Sequence, residues 1–306
     1  RCVGNPDTRF NEDALRILRA LRFASVYGFL IEENTSQSIF KNADLLKNIA
    51  TERVTSEFLK LICGKDAVKI LDAYRETIAV IIPEITVMFN FNQNNIHHSY
   101  DLWQHTLTAL GTIEPNPILR MTMLLHDIGK PSVKTTDNSG QSHFQGHQLE
   151  SKKIADKILH RLRLPSDFIN KTLLLIEYHD VRFNGSKKLM KKVMNVLGTD
   201  LTKQLLEVEY ADISAQSEYQ REEKLGYLKK AKTHLNEIIK DNECFKLSQL
   251  DINGKDVLNL GVREGRDVGN ILDYLLMLVV DANVPNKKSI LISKAKEYIY
   301  GNQINK

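Results

Sequence analysis

Histidine and aspartate residues that can bind a divalent metal ion are concentrated in the middle of this sequence. Eight of the nine histidines lie between residues 97 and 179. The adjacent pair His126–Asp127 follows an apolar run, His105 precedes it, and Asp212 lies further along the chain. Imidazole and carboxylate ligands suit Mn, Fe, Co, Ni or Zn, and a carboxylate can bridge two ions where an imidazole cannot. These four residues therefore predict a divalent-metal site.

Hydrolysis of a phosphate ester is the chemistry that such a site would perform. A bound metal ion lowers the pKa of a coordinated water, makes hydroxide available near neutrality and polarises a phosphoryl oxygen. Lys130 follows Asp127 closely and would neutralise charge on the phosphate under attack. We therefore predict catalytic roles for Asp127 and Lys130.

The alternative for any one histidine is an ordinary structural role. A single buried histidine is more often hydrogen-bonded in the core than bound to a metal, and we interpret His160 and His234 as core or surface residues. A His-Asp pair that ends an apolar helix and is followed by Ile-Gly-Lys-Pro is much rarer by chance. The combination of all four residues favours a metal site.

Helices must position these side chains. Glycine and proline are sparse, at 15 and 7 of 306 residues, and apolar residues recur at helical spacing, as in Leu15, Leu18 and Leu21. No substantial stretch shows the alternation of a half-buried strand, so the predicted fold class is all-α. His126 and Asp127 would then end a buried helix just before a glycine, facing the mouth of a pocket.

The composition sets the limits on other classes of function. With 42% apolar and 26% charged residues, the chain is an ordinary soluble globular protein. Its net charge of +4 does not by itself predict a nucleic-acid partner, and its longest apolar stretch is too short to span a membrane. Three cysteines without metal-ligand or disulfide-like spacing are typical of the cytoplasm. We divide the chain into segments 1–90, 91–217 and 218–306.

The metal-site residues resemble the HD superfamily of metal-dependent phosphohydrolases, which is named for its His-Asp pair. His147 and His179 are similar to the additional histidines of those members that hold two metal ions. The resemblance implies that Asp127 bridges two ions and that His147 and His179 bind the second. The implied ligands of the first ion are His105, His126, Asp127 and Asp212.

Residues 4–24 resemble the neck of bacterial class II tRNA nucleotidyltransferases and poly(A) polymerases. In that family a Glu-Asp-x-x-Arg motif reads the base edge of the incoming ATP or CTP, and the resemblance gives this role to Glu12, Asp13 and Arg16. Asp13 and Arg16 stand three residues apart, which in one helix places them on one face. Without the resemblance, an ion pair of Arg16 with Glu12 or Asp13 within that helix would be the favoured interpretation.

The resemblance covers nearly the whole chain. Arg53 and Glu57 match a later motif that braces the neck, and residues 254–286 resemble the family's tRNA-binding tail. The implied architecture is a helical neck (1–90), an HD-type helical domain (91–217) and a helical tail (218–306). The Asp-x-Asp pair that holds Mg in the family's polymerase head has no counterpart before Gly4. We therefore expect this sequence, which begins with Arg1, to lack the nucleotide-adding head of a longer protein.

Two clusters of basic residues have the spacing of RNA contacts. Arg16, Arg19 and Arg22 recur every three residues, a pattern equally compatible with phosphate binding and with a solvated face. We assign RNA binding to Arg19 and Arg22. The lysine pairs within residues 187–192 repeat four apart, and there a solvated face is favoured over a track for RNA.

The resemblances predict the neck, HD and tail portion of a cytoplasmic protein, without a membrane association, that binds the tRNA 3′ end and ATP or CTP for CCA addition. Its HD site would hydrolyse phosphate monoesters or 2′,3′-cyclic phosphodiesters with Mn, Ni, Co, Fe or Zn. Two other interpretations stay open. One is a free-standing HD phosphohydrolase for small nucleotides, and the other is a non-catalytic RNA-binding module.

Overall fold

The regular structure of this chain is helical. The computed structural model describes residues 1–95, 97, 100–262 and 265–303. The helices are α1 (Pro6–Glu12), α2 (Leu15–Tyr27), α3 (Glu33–Asn42), α4 (Thr51–Ile62), α5 (Ala67–Ala73), α6 (Arg75–Ala79), α7 (Leu102–Thr112), α8 (Pro117–Leu125), α9 (Lys130–Val133), α10 (His147–Arg161), α11 (Ser166–Tyr178), α12 (Lys187–Ala215), α13 (Arg221–Lys240), α14 (Gly254–Leu258), α15 (Arg266–Val280) and α16 (Lys288–Gln303). The predicted all-α class is confirmed.

Short elements complete the described part of the chain. Three 3₁₀ helices span Ala43–Asn48, Pro83–Met88 and Leu247–Gln249. A ribbon of two antiparallel strands, β1 (Thr135–Thr136) and β2 (Ser142–His143), pairs Thr135 with His143. Strands of two residues cannot form a core of their own, and these support only the loop between α9 and α10.

The chain forms two compact units. The first unit contains Arg1–Val181 and Gln204–Leu225, and the second contains Arg182–Lys203 and the chain from Gly226 onward. The three segments with boundaries near residues 90 and 217 stay a prediction from the sequence pattern.

Helices α2 and α4 form the packed pair at the start of the first unit. On α2, the fully buried residues Ile17, Leu18 and Leu21 follow the spacing of one helix face. The Ser25 hydroxyl of α2 donates to the Leu61 carbonyl of α4 at 2.6 Å. A Cβ on Gly64 would lie only 2.1 Å from Ser25 Oγ, so only glycine allows α2 and the end of α4 to approach this closely.

Helix α8 is the centre of the later part of the first unit. Asn116 caps it by accepting a hydrogen bond from the Ile118 amide at 2.9 Å, and Pro117 occupies its first position. Every residue from 119 to 125 is buried, as expected of a helix surrounded by other helices. Helices α7 and α11 both pack against α8. The residues at the end of α8 are therefore held by a rigid core element.

The second unit has a separate apolar core. Helices α14, α15 and α16 contribute Val257, Leu275 and Leu291, each of which is fully buried. Gly198 interrupts α12 with φ 71° and ψ 177°. These values are incompatible with a continuous helix, and they are accessible to glycine because it has no Cβ.

Candidate metal centre

Helix ends supply the histidines of the candidate metal centre. His126 directly follows α8, and His179 directly follows α11. His147 is the first residue of α10, after Gly146, whose φ of 79° lies in the left-handed region. Each of the three imidazoles thus lies at a helix boundary, while the helix itself stays packed.

Four side chains form the first ligand group. His105 from the first turn of α7, His126, Asp127 and Asp212 from the last turn of α12 place donor atoms within 4.8 Å of one another. His105 Nε2 lies 2.9 Å from Asp212 Oδ1, and His126 Nε2 lies 3.2 Å from Asp127 Oδ2. The structure thus brings together the four residues whose types predicted a site.

Asp127, His147 and His179 form a second ligand group. Asp127 Oδ1 lies 3.2 Å from His147 Nε2 and 3.6 Å from His179 Nε2, while its Oδ2 faces the first group. Asp127 therefore belongs to both groups and presents one oxygen to each. This is the arrangement in which a carboxylate can bridge two ions.

The Nδ1 atoms of all four histidines face backbone carbonyl oxygens. The distances are 3.3 Å from His105 to Ala215, 2.7 Å from His126 to Met123, 2.9 Å from His147 to Phe144 and 2.7 Å from His179 to Ile176. Since a carbonyl only accepts, each Nδ1 donates its proton, and in the neutral ring Nε2 keeps a lone pair. Bonds of this kind orient metal-binding histidines.

The Nε2 atoms point inward at one another and at carboxylate oxygens. His147 Nε2 and His179 Nε2 are 3.1 Å apart. His126 Nε2 is buried and accepts or donates no hydrogen bond within the described part of the chain. Lone pairs in such a cluster repel unless a proton or a metal ion lies between them, so the donor set fits a divalent ion.

The carboxylates give the site a strongly negative electrostatic potential. Burial is the largest single influence and lowers the pKa of His126, but the Asp127 and Asp212 carboxylates together outweigh it and raise that pKa to about 10. Burial raises the pKa of Asp127, while the charges of His126 and Lys130 hold it well below its ordinary value. The site therefore stabilises positive charge, which protons supply in the absence of metal and a divalent ion supplies in its place.

Lys130 lies inside this site. Its Nζ is 2.6 Å from Asp127 Oδ2 and donates to Gln93 Oε1 at 3.1 Å. Lys130 is 5% exposed and Gln93 is 1% exposed, so the amide helps to fix the ammonium. The sequence pattern predicted Lys130 but not Gln93, because a glutamine in a loop has no distinctive spacing.

Gly129 allows α10 to approach the His-Asp pair. A Cβ on Gly129 would lie 2.5 Å from the Ser151 amide nitrogen and 2.8 Å from the His147 carbonyl oxygen. Both are backbone atoms, which cannot move aside as a flexible side chain can. The glycine therefore permits the close approach of α10 to the His-Asp pair.

Glu209 is a second residue that the sequence pattern did not reveal. It lies one helical turn before Asp212 on α12, and only 7% of its surface is exposed. Burial, followed by the nearby Asp212 and Asp180 carboxylates, raises its pKa well above its ordinary value. The spacing of three residues from Asp212 was the available signal, because it places both carboxylates on one helix face.

The Glu12-Asp13-Arg16 motif lies at the junction of α1 and α2. The prediction that Asp13 and Arg16 share one helix face is wrong, because Asp13 has an extended backbone with φ −153° and ψ 100°. Asp13 Oδ1 accepts from the Leu15 amide at 3.1 Å, which satisfies a free donor at the start of α2. Arg16 Nη1 lies 2.6 Å from Glu12 Oε2 across the junction.

Helix α4 braces this junction. Arg53 Nη2 lies 3.3 Å from Asp13 Oδ2, and Glu57 Oε2 lies 3.0 Å from Arg22 Nε. The residues Arg53 and Glu57 thus contact the motif and its helix. Of the two predicted RNA contacts, Arg22 forms an ion pair with Glu57, whereas Arg19 is exposed on α2.

The lysines within residues 187–192 are paired with acids inside the second unit. Lys188 Nζ lies 3.0 Å from Asp281 Oδ2, and Lys191 Nζ lies 2.7 Å from Glu243 Oε2. Lys187 also contacts Glu243. Because these lysines are paired with acids, they form neither a simple solvated face nor a row of cations open to RNA phosphates.

Two family profiles match the chain. Residues 28–89 match a profile described as a probable RNA and SrmB-binding site of polymerase A. Residues 147–295 match a putative domain 2 of tRNA nucleotidyltransferase. The chain is a relative of the tRNA nucleotidyltransferases. The predicted resemblance to this family is thereby confirmed.

Curated relatives agree with the profiles. A CC-adding tRNA nucleotidyltransferase of Thermus thermophilus is 29% identical over 90% of this chain and 65% of its own length. A CCA-adding enzyme of Ligilactobacillus salivarius is 27% identical over 98% of this chain and 63% of its own length. The chain thus spans less than two thirds of the length of these relatives.

A solved structure shows the same fold. The CCA-adding enzyme of Bacillus stearothermophilus, determined in complex with CTP, matches 100% of this chain and 67% of its own with a TM-score of 0.67 at 22% identity. The helical architecture is thus that of a region of this enzyme. Among the described residues, no helix is both long enough and apolar enough to cross a membrane.

Proposed function

We propose that this chain carries an HD-type phosphohydrolase site within a protein that processes the 3′ end of tRNA. The observation that carries the hydrolase proposal is Asp127, which presents one oxygen to each of two ligand groups. Histidines with fixed Nδ1 protons and paired carboxylates are the donor set of Mn, Ni, Co, Fe or Zn. The substrates would be phosphate monoesters or 2′,3′-cyclic phosphodiesters.

In the proposed hydrolysis, different residues would bind the metal ions and stabilise the developing charge. His105, His126, Asp127 and Asp212 would hold one ion, and His147 and His179 with Asp127 a second. When bound, a divalent ion lowers the pKa of a coordinated water and polarises a phosphoryl oxygen. The Lys130 ammonium, held by Gln93 beside Asp127, stabilises the negative charge that develops on the phosphate oxygens.

Metal analysis combined with an ester assay tests this proposal. Purified protein loaded with Mn or Ni should bind metal and hydrolyse 2′,3′-cyclic AMP, and Asp127→Asn should abolish both. His160 serves as the matched control, because its imidazole is largely exposed outside the site. His160→Gln should retain metal and activity. Wild-type protein that takes up none of the five metals would refute the hydrolase.

The tRNA role rests on the relatives and on the junction of α1 and α2. We propose that the whole protein binds the tRNA 3′ end and ATP or CTP for CCA addition, with Glu12, Asp13 and Arg16 reading the base edge. The Glu12–Arg16 pair at 2.6 Å orders the guanidinium before a nucleotide arrives. To test this, wild-type and Arg16→Ala protein are each titrated with tRNA ending in CC in the presence of ATP or CTP, and the two affinities are compared. Equal affinities would contradict the assignment.

A further inference from the structure

Three aromatic rings form a row at the end of α2. The ring centroids of Phe23 and Tyr27 are 5.9 Å apart with an interplanar angle of 26°, and those of Tyr27 and Phe29 are 5.5 Å apart at 31°. Tyr27 is 57% exposed and Phe29 is 62% exposed. Leu30, beside them, is 95% exposed. Large side chains in contact with one another and still open to solvent are typical of a binding surface.

Positive charge surrounds this row. The Arg22 guanidinium carbon lies 4.3 Å from the Phe23 ring centroid. Lys65 Nζ lies 3.2 Å from the position that a Cβ would take on Gly28, between Tyr27 and Phe29. Two more lysines belong to the same border. They are Lys60, 3.9 Å from Glu57, and Lys69, 2.9 Å from Asp66.

Among the charged residues that these contacts connect to the rings, cations outnumber carboxylates. The two carboxylates, of Glu57 and Asp66, are outnumbered by four cations, which are Arg22, Lys60, Lys65 and Lys69. Exposed Arg19 adds a fifth cation one helical turn before Phe23. The surface therefore combines apolar ring faces with a net positive border. That pairing complements single-stranded nucleic acid, whose bases offer flat faces and whose backbone is anionic.

Helix geometry connects the row to the base-reading motif. Arg16, Arg19, Phe23 and Tyr27 follow the i, i+3, i+7 and i+11 positions, which lie on one stripe of a helix. The stripe is about 16 Å long from Arg16 to Tyr27 at a rise of 1.5 Å per residue. A strand whose end reaches Arg16 can therefore continue along α2 to the rings.

We propose that Phe23, Tyr27 and Phe29 form a stacking platform for unpaired RNA bases, with Arg19 and Lys65 contacting the phosphates. This inference rests on the proposed tRNA role and adds a binding surface outside the Glu12-Asp13-Arg16 motif. The rings bind bases of any identity, because every base has a π face. The platform thus holds the strand without selecting its sequence.

A fluorescent oligonucleotide tests the platform directly. A single-stranded RNA that contains 2-aminopurine loses fluorescence when that base stacks, and binding to wild-type protein should quench it. Tyr27→Ala/Phe29→Ala should weaken binding about 10-fold or more and remove the quenching, since each stacked base contributes about 5- to 100-fold in affinity. Tyr27→Phe should bind as the wild type does, because it keeps the ring.

Two controls separate stacking from other contacts. Leu30→Ala removes a neighbouring exposed apolar side chain without a ring, and binding should stay within about twofold. Arg19→Ala should reduce the dependence of affinity on salt by about one phosphate contact, whereas the ring variants should leave that dependence unchanged. Thermal unfolding of every variant should match the wild type.

The outcomes distinguish this platform from the proposed function. If the wild type binds the RNA and the double ring variant binds and quenches equally well, the platform is refuted while tRNA binding stands. If the wild type binds neither the oligonucleotide nor tRNA, both fail. If Leu30→Ala weakens binding as much as the double variant does, the surface is a general apolar contact and the stacking assignment is wrong.

Discussion

Lys130 Nζ lies 2.6 Å from Asp127 Oδ2, and both side chains are buried. The same oxygen lies 3.2 Å from His126 Nε2. One carboxylate oxygen thus faces both a fixed ammonium and the first ligand group. The positive charge of Lys130 helps to keep Asp127 ionised, and in the proposed hydrolysis it would also be available to a phosphate.

Removing the charge of Lys130 should separate catalysis from metal binding. Lys130→Met should lower kcat for 2′,3′-cyclic AMP by about 100-fold, the usual effect of losing one stabilising group, and should keep bound metal. Elemental analysis and initial rates measure the two effects. Lys134→Met, at an exposed lysine after α9, should leave both unchanged. Equal kcat for Lys130→Met and the wild type would remove Lys130 from the mechanism.

Adding one methyl group at Gly129 should disturb the second ligand group. Gly129→Ala forces the backbone of α10 away, because the new Cβ would lie 2.5 Å from the Ser151 amide. Metal content should fall from two ions to one, as His147 moves from Asp127. Gly226→Ala is the matched control, since its Cβ would meet open space. A stoichiometry that stays at two ions in Gly129→Ala would contradict this assignment.

Removing Glu57 should destabilise the neck. Its carboxylate is 3.0 Å from Arg22 Nε, and the two side chains are only 13% and 18% exposed. Glu57→Ala leaves a largely buried guanidinium without its partner, which should lower the free energy of unfolding by about 1–3 kcal/mol. Urea denaturation measures the change. Glu33→Ala, at an exposed position on α3, should cost less than about 0.5 kcal/mol.

The Glu84–Arg161 pair should make stability depend on pH. Both contacts of this bidentate pair measure 2.6 Å, and the hydrogen bonds from Arg161 hold the pKa of Glu84 below its ordinary value. A lowered carboxyl pKa stabilises the folded state above the unfolded value of about 4.3, and this contribution is lost as pH falls through the folded pKa.

Glu84→Gln measures that contribution. It should lower the free energy of unfolding by about 1 kcal/mol or less at pH 7, and the difference from the wild type should shrink towards pH 3.5. Denaturant unfolding at both pH values provides the measurement. In an Arg161→Met background the same change should have no pH-dependent effect. A difference that is constant with pH in the wild-type background would show that the ion pair is not its cause.

The features that could be predicted from the sequence leave a local pattern of residue types or spacing. The His-Asp pair, the isolated His105 and the distant Asp212 were recognisable because metal ligands combine restricted residue types with helical context. Their approach to within 4.8 Å depends on contacts between residues more than a hundred positions apart, which no spacing records. The all-α class followed from periodicity, since helices bury one face at a spacing visible in the sequence.

What the sequence did not reveal depends on tertiary structure. Gln93 and Glu209 are ordinary polar residues until burial gives them partners or raises a pKa. The residue pattern around Asp13 is compatible with one continuous helix. The helix nevertheless breaks at Asp13, whose side chain accepts from the Leu15 amide and contacts Arg53. The competition between continuing a helix and starting a new one is decided by such contacts.

The carbonyls that orient the histidines differ in their distance along the chain. His126, His147 and His179 each use the carbonyl three residues earlier, whereas His105 uses Ala215, 110 residues away. Three rings are therefore aligned by single turns that form independently. Fraying at the end of α12 would release the fourth ring and Asp212 together. A partly melted protein should thus lose the first ion while its second site stays formed.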